Sequence, residues 1–194
     1  MKMRTAVLLV LTAVLVPGQE GPAFTADGQL LRPAAYRDWV HLGTSLGLQY
    51  GNPSAPSRPP SFENVYVNPA AWREFSNTGK WPEGSMFVLE IRKAETRGSL
   101  AKGGQFQGDV VGMELEVKDS KRFPDGWAWF DLPAGASAAK QFPKEAGCLA
   151  CHTAQGAVEK TFTQFYPRAM EIAKEKGTVN ESYRKLVESG AFDK

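Results

Sequence analysis

The middle of the chain carries the alternation of hydrophobic and polar positions that is typical of β-strands. Four apolar residues alternate with a glycine and three charged residues between positions 111 and 118, a period of two that predicts a half-buried strand. Three further runs have strand-forming composition and are bounded by turn residues: Phe62–Val67, Met86–Ile91 and Gly126–Leu132. The pattern predicts an antiparallel sheet in the middle of the chain.

Helical patterns flank these strands. The predicted helices are Pro33–Val40, Pro69–Asn77, Thr161–Lys176 and Asn180–Ser189. Asn68 and Asn180 are expected to cap the helices that follow them, and Gly79, Gly177 and Gly190 to end helices. With 194 residues the chain suits a single domain. We expect an α+β fold over residues 24–194, with a mostly antiparallel β-sheet core and short flanking helices.

The first residues have the pattern of an export signal. Lys2 and Arg4 precede an apolar run from Ala6 to Val16, and Pro17 and Gly18 follow it. This run is shorter than the roughly 20 residues that cross a bilayer. Residues 1–18 are therefore predicted to be a cleaved signal peptide that sends the protein to the periplasm or another extracytoplasmic space, with a retained membrane anchor as the alternative.

The charge balance argues against nucleic acid as a partner. The formal net charge is +2, and loss of Lys2 and Arg4 with the leader makes the mature chain neutral. No basic run suggests phosphate binding. We expect neither a nucleic acid nor an anionic membrane as partner.

The two cysteines belong to one motif. Cys148, Cys151 and His152 form C-x-x-C-H, the attachment signature of c-type haem. Each thiol can bond to one vinyl group of the haem, and the imidazole of His152 can bind the iron. The motif predicts one covalently attached haem c with His152 as the metal ligand.

The same residues also permit three other interpretations: a redox-active pair, a zinc site and an electron-transfer cytochrome. A thioredoxin-like redox pair would open a helix after a strand in a βαβ unit, which this region lacks. A zinc site would need two more ligands, and His41 is the only other histidine or cysteine in the chain. An electron-transfer cytochrome remains open, with His41 or a methionine opposite His152; the candidate methionines are Met86, Met113 and Met170.

The order of several motifs resembles the cytochrome P460 family, which includes the cytochromes c′-beta. The resemblance rests on FENVYVNP, TGKWPEGS, GQFQG, VKDSKRFPDGWA and CLACH, at positions 62–69, 78–85, 104–108, 117–128 and 148–152. It implies a mostly antiparallel β fold, a homodimer, and a haem packed against the sheet whose iron has His152 on one side and no strong protein ligand on the other.

Members of this family divide into two chemistries. In the cytochromes P460 a lysine is bonded to the porphyrin and the protein oxidises hydroxylamine, which calls for a redox partner such as another cytochrome. In the cytochromes c′-beta a hydrophobic pocket with phenylalanine covers the iron and small gases such as nitric oxide bind. The chain is expected to belong to one of these two groups.

The strand after the WPEG turn favours the gas-binding group. Resemblance places the cross-linking lysine in or near this strand, but residues 86–90 contain none. Lys80 and Lys93 flank it and stay candidates, with a solvated charge as the alternative for both. Phe62, Phe87 and Leu89 are expected to cover the iron, with plain core packing as their alternative. Glu90 and Arg92 are expected to form a paired or exposed strand face.

Overall fold

The described part of the chain forms one antiparallel sheet of seven strands. The computed structural model describes residues 21–48, 59–98, 100 and 103–192, so the predicted signal peptide lies outside the described residues. The strands are β1 (Leu30–Leu31), β2 (Val40–Leu46), β3 (Ser61–Val67), β4 (Met86–Glu95), β5 (Phe106–Lys118), β6 (Trp127–Pro133) and β7 (Ala138–Gln141). Strands β2 to β7 follow one another as a meander, and β1 pairs with β7. The predicted α+β class with an antiparallel core is confirmed.

Four short helices flank the sheet. They are α1 (Pro69–Thr78), α2 (Cys148–Gln155), α3 (Pro167–Lys176) and α4 (Glu181–Glu188). Helix α1 ends at Gly79, whose φ of 72° is the left-handed conformation that glycine adopts easily. Among the described helices, none has the length and apolar character needed to span a membrane.

Two helix predictions were wrong in extent. Instead of a helix over Pro33–Val40, the chain makes one 3-10 turn at Tyr36–Asp38 and then enters β2, because Trp39 is already extended. The predicted helix Thr161–Lys176 is divided into a 3-10 turn at Thr163–Phe165 and helix α3. Pro167 explains the division, since proline has no N–H to continue a helix but suits its first turn.

Each face of the sheet packs against its own hydrophobic cluster. One cluster surrounds Met86, Met113 and Phe130 on the face that β1 also covers. The other lies under helices α1 and α3 and includes Val67, Phe75, Trp81, Phe87 and Ile172. Strand β5 is half-buried as predicted: Met113, Leu115 and Val117 are buried on one face, and the residues between them are partly or fully exposed.

Trp81 joins the elements of the second cluster. Its ring stacks on Phe75 at 3.8 Å between centroids and meets Phe87 edge-on at 4.7 Å. Its indole N–H donates to Thr161 Oγ1 at 3.1 Å. Aromatic contacts of this kind contribute about 0.5–1.5 kcal/mol each beyond area burial. Helix α1, strand β4 and the segment after α2 are thereby fixed against one another.

Glu90 is the centre of a polar network on the opposite face. Its side chain is buried and accepts hydrogen bonds from Tyr36, from Arg37 Nε at 3.0 Å and from Arg92 Nη1 at 3.0 Å. Burial alone would raise the pKa of Glu90, but these donors together lower it below 4.5. The predicted pairing of Glu90 and Arg92 is confirmed, and the network anchors the turn at Tyr36 to β4.

Glu90→Gln is expected to destabilise the protein by about 2–4 kcal/mol at pH 7, because it leaves the partly buried Arg92 and the buried Tyr36 without their charged partner. The pKa of Glu90 is lower in the folded protein, so its stabilisation is complete above pH 4.5 and is lost as the pH falls through the lowered value. Urea unfolding at pH 7 and pH 3 checks this. A difference between the two proteins that did not shrink at pH 3 would contradict it.

Candidate functional site

A cavity of about 400 Å³ lies between the sheet and the segment that contains the C-x-x-C-H motif. This volume is in the usual range for ligand and cofactor sites. Strands β2 to β6 contribute one part of the lining, and residues between 142 and 166 contribute the other. Five residues predicted to form the site line the cavity: Phe87, Leu89, Cys148, Cys151 and His152.

Phe62 and Lys80 lie elsewhere, contrary to their expected place at the cofactor. Side chains alternate along β3, so Phe62 lies on the face of Asn64 and Tyr66, whereas Glu63 and Val65 line the cavity. Lys80 is exposed just after helix α1. Strands β3 and β4 both line the cavity, as expected, but Phe62 lies on the face of β3 that points away from it.

Lysine is missing from the described lining of the cavity. Lys93, the second flanking candidate, is exposed near the end of β4, with its Nζ 3.8 Å from Asp109. The strand between Lys80 and Lys93 presents Phe87 and Leu89 to the cavity instead. The wall formed by β3 and β4 is thus apolar apart from Glu63.

Helix α2 places the two cysteines on the same face of the helix. It begins at Cys148, directly after Gly147, whose φ of 75° turns the chain into the helix. Cys151 follows three residues later, a spacing that puts two side chains on the same helix face. Both thiols are free and partly buried. Burial, followed by the nearby Glu114 charge, raises the pKa of the Cys148 thiol, unlike the lowered pKa of a thioredoxin-type cysteine.

His152 is oriented for metal binding through Nε2. Its Nδ1 lies 2.7 Å from the carbonyl oxygen of Lys160, so Nδ1 carries the proton and donates it. The other ring nitrogen then keeps its lone pair. Phe162 stacks on the ring at 4.1 Å, and Trp129 contacts it at 4.7 Å. Burial lowers the pKa of His152 to about 4, which keeps the imidazole neutral at physiological pH.

Three carboxylates in the cavity lining were not predicted. Glu63, Glu114 and Glu116 all contribute to it. Burial, with a smaller contribution from the Glu159 charge, raises the pKa of Glu116 well above 4.5. Glu116 Oε1 is 3.6 Å from His152 Nδ1, too long for a hydrogen bond, and the two pKa shifts favour the uncharged form of each group. The strict alternation in β5 put Glu114 and Glu116 on the polar face of a half-buried strand, and sequence periodicity does not show that this face borders a cavity.

The lining leaves hydrogen-bonding capacity unused. Within the described chain, three buried side-chain atoms have no hydrogen-bond partner: Glu63 Oε2, Glu116 Oε1 and Trp129 Nε1. Such orphaned atoms are rare in complete structures, because each costs about 1–3 kcal/mol. All three belong to residues of this cavity, which indicates that a ligand completes the site.

The possible ligand residues of the cavity suit a metal that is held within a cofactor and not a bare metal ion. In the described residues, no three His, Cys, Asp or Glu side chains group as a metal site. One neutral histidine beside two free thiols is instead the set that a covalently bound haem uses. The broad apolar lining, with Phe87, Leu89 and Trp129, suits a flat macrocycle. The residues therefore fit a haem.

The predicted second axial ligands do not reach this site. Met86 and Met113 are buried in the cluster on the other face of the sheet. Met170 and His41 are outside the lining, and His41 Nε2 is 3.0 Å from Thr44 Oγ1. In the described lining, His152 is the sole histidine and methionine is absent.

Comparison with known families gives one match. The family model described as Cytochrome P460 matches residues 33–163. No curated protein gives a significant match to the chain. The matched range contains the sheet from β2 onward and helices α1 and α2, whereas α3 and α4 follow it.

Gly156→Ala is expected to lower the free energy of unfolding by about 1–3 kcal/mol, because the site has no room for a methyl group. A Cβ at Gly156 would lie 2.7 Å from the carbonyl oxygen of His152 and 3.0 Å from that of Glu159. Urea unfolding checks this, with Gly103→Ala as the control, since a Cβ there meets nothing within 4 Å. Equal stability of the two variants would show that the packing after α2 is loose.

Proposed function

Because the chain belongs to the cytochrome P460 family, whose cofactor is a haem, we propose that it is an exported mono-haem c-type cytochrome that binds nitric oxide or a similar small gas. Haem c is attached to proteins outside the cytoplasm, so the motif and the predicted leader agree with each other. A homodimer is part of the proposal and rests on the resemblance to this family.

Three residues would hold the cofactor. Cys148 and Cys151 would form the thioether bonds, and His152 would bind the iron through Nε2. When bound, the haem supplies an iron with a coordination position that a small molecule can occupy. The hydrogen bond to the Lys160 carbonyl holds the ring of His152 in one orientation.

The composition of the lining carries the proposal. Val65, Phe87 and Leu89 make an apolar wall, and the described lining contributes no methionine, second histidine or lysine. An apolar wall offers nothing to replace the lost hydration of a charged ligand, so it favours a neutral diatomic molecule. Lys80 and Lys93, the candidates for the porphyrin cross-link of hydroxylamine-oxidising relatives, lie outside this described lining.

The carboxylates of the same cavity favour oxidation of hydroxylamine as the second candidate function. Conversion of NH₂OH to NO releases three protons and three electrons. Glu63 and Glu114 line the cavity and would be the proton acceptors, and desolvation raises the pKa of Glu114 above its ordinary value. The electrons would pass to a redox partner such as another cytochrome. An electron-transfer cytochrome is less supported, because the predicted second axial ligands lie outside the cavity.

A Cys148→Ala, Cys151→Ala double variant is expected to lose all covalently bound haem, because both thioether bonds disappear. His152→Ala is the matched control: it should keep the haem through denaturation and change only its spin state and ligand binding. Intact mass of the denatured proteins checks this. A double variant whose mass still includes haem would contradict the attachment at α2.

The two candidate functions are separated by the response to each ligand. The reduced protein is expected to bind nitric oxide stoichiometrically, and hydroxylamine with an electron acceptor should give no sustained turnover. Glu63→Gln should leave nitric oxide affinity within about twofold, because a neutral diatomic molecule needs no proton acceptor. Sustained turnover that falls at least tenfold in Glu63→Gln would instead establish the oxidase.

A further inference from the structure

The loop after helix α2 returns to the helix to meet His152. Residues 156–161 reverse the chain, and the carbonyl of Lys160 comes within 2.7 Å of His152 Nδ1. A β-bridge joins Val158 to Thr161 within this reversal. Glu159 has a φ of +50°, in the left-handed region that side-chain-bearing residues rarely adopt. Such a backbone persists only where surrounding contacts fix it.

Asn180 supplies four of those contacts. Its Nδ2 donates to the carbonyl of Gly156 at 2.8 Å and to that of Glu159 at 2.7 Å. Its Oδ1 accepts from the Glu159 N–H at 3.2 Å, and its own N–H donates to Ala157 O at 2.8 Å. The amide group of one side chain therefore bonds to the backbone at both ends of the segment that precedes Lys160.

The side chain of Asn180 does not cap helix α4, although Asn180 directly precedes this helix. The sequence predicts Asn180 as the cap of helix α4, and it does occupy the N-cap position. Its side chain, however, makes no capping hydrogen bond to α4. An N-cap asparagine ordinarily bonds to the first turn, and losing that bond costs about 1 kcal/mol. The side-chain amide of Asn180 forms its hydrogen bonds with Gly156 and Glu159 of the loop instead.

We propose that Asn180 is a positioning residue for the iron ligand: it fixes the Lys160 carbonyl and through it the orientation and basicity of His152. This inference rests on the proposed function, because it requires His152 to bind the iron. Asn180 lies after residue 163, where the family match ends, so this chain holds its axial ligand with a segment outside the matched range.

A second anchor holds the same loop through its side chains. Lys118 Nζ pairs with Glu159 Oε2 at 2.8 Å and donates to the carbonyl of Trp81 at 2.7 Å. Lys160 Nζ donates to the carbonyl of Asp125 at 2.6 Å. These contacts remain when the amide of Asn180 is removed. The expected result of such a change is therefore a shifted loop and not an unfolded protein.

The consequence for the iron is a weaker bond to His152. A strong hydrogen bond from Nδ1–H gives the imidazole more imidazolate character and makes it a better donor to the metal. If the Lys160 carbonyl moves away, the iron–histidine bond weakens. Less electron donation stabilises ferric iron less, so the reduction potential rises.

The test compares Asn180→Ala with Glu181→Ala in the haem-loaded full chain. Glu181 is exposed at the start of α4, where it pairs with Lys185, and it makes no contact with the loop. Resonance Raman of the reduced protein gives the iron–histidine stretching frequency, and redox titration gives the potential. Asn180→Ala should lower the frequency and raise the potential, whereas Glu181→Ala should leave both at wild-type values.

Three outcomes separate this inference from the proposed function. An iron–histidine band that is present but unmoved in Asn180→Ala overturns the role of Asn180 alone. The absence of this band from the wild-type protein overturns the five-coordinate haem of the proposed function, and the change in reduction potential then decides the role of Asn180. If Asn180→Ala fails to fold, Asn180→Asp decides, since it keeps the acceptor for Glu159 N–H and loses both donors. A lowered frequency supports the proposal, and a wild-type frequency overturns it.

Discussion

Coverage of both faces of one antiparallel sheet is the constraint on which the rest of the structure depends. One face is closed by a continuous apolar cluster around Met86, Met113 and Phe130. The other is covered only in part by helices α1 and α3, and the remainder faces the C-x-x-C-H segment across the cavity. A flat cofactor is the natural element to complete such a face, since a bare apolar surface of this size would be costly in water.

The cavity combines two chemistries in one lining. Its β3–β4 wall is apolar at Val65, Phe87 and Leu89, but Glu63, Glu114 and Glu116 also line the cavity. Desolvation raises the pKa values of Glu114 and Glu116, which favours the uncharged form of both carboxyl groups. In the proposed function the apolar wall favours a neutral gas, and the acidic groups are what the alternative oxidase would use to accept protons.

The sequence predicted the central strands well and identified the C-x-x-C-H segment that lines the cavity, because both depend on local patterns. Strands β3 to β6 come from alternation and strand-forming composition, and the thiols with His152 come from a fixed spacing. The outer strands escaped prediction, since the edge strand β1 and its neighbour β7 are short and the other edge strand, β2, is of mixed composition. The glutamates of β5 and the loop contacts of Asn180 escaped it too, because they depend on which distant segments meet. Phe62 is an example: neighbouring residues of a strand point to opposite faces, so an error of one position places the side chain on the wrong face of the sheet.

In the proposed cytochrome, different segments attach the haem and tune its iron ligand. Helix α2 would supply the attachment residues, whereas the carbonyl that orients His152 comes from the loop after it. That loop is held by Lys118 of the sheet on one side and by Asn180 on the other. The strength of the axial ligand can therefore change without any change in the C-x-x-C-H motif.

The optical spectrum of the reduced protein, recorded without added ligand after export to the periplasm, tests the central claim most directly. A haem held at Cys148, Cys151 and His152, with no second protein ligand, predicts an ordinary high-spin c-type spectrum. A broad, strongly red-shifted Soret band would mean a lysine-modified porphyrin, and a low-spin spectrum would mean a second axial ligand. Either result would contradict the account.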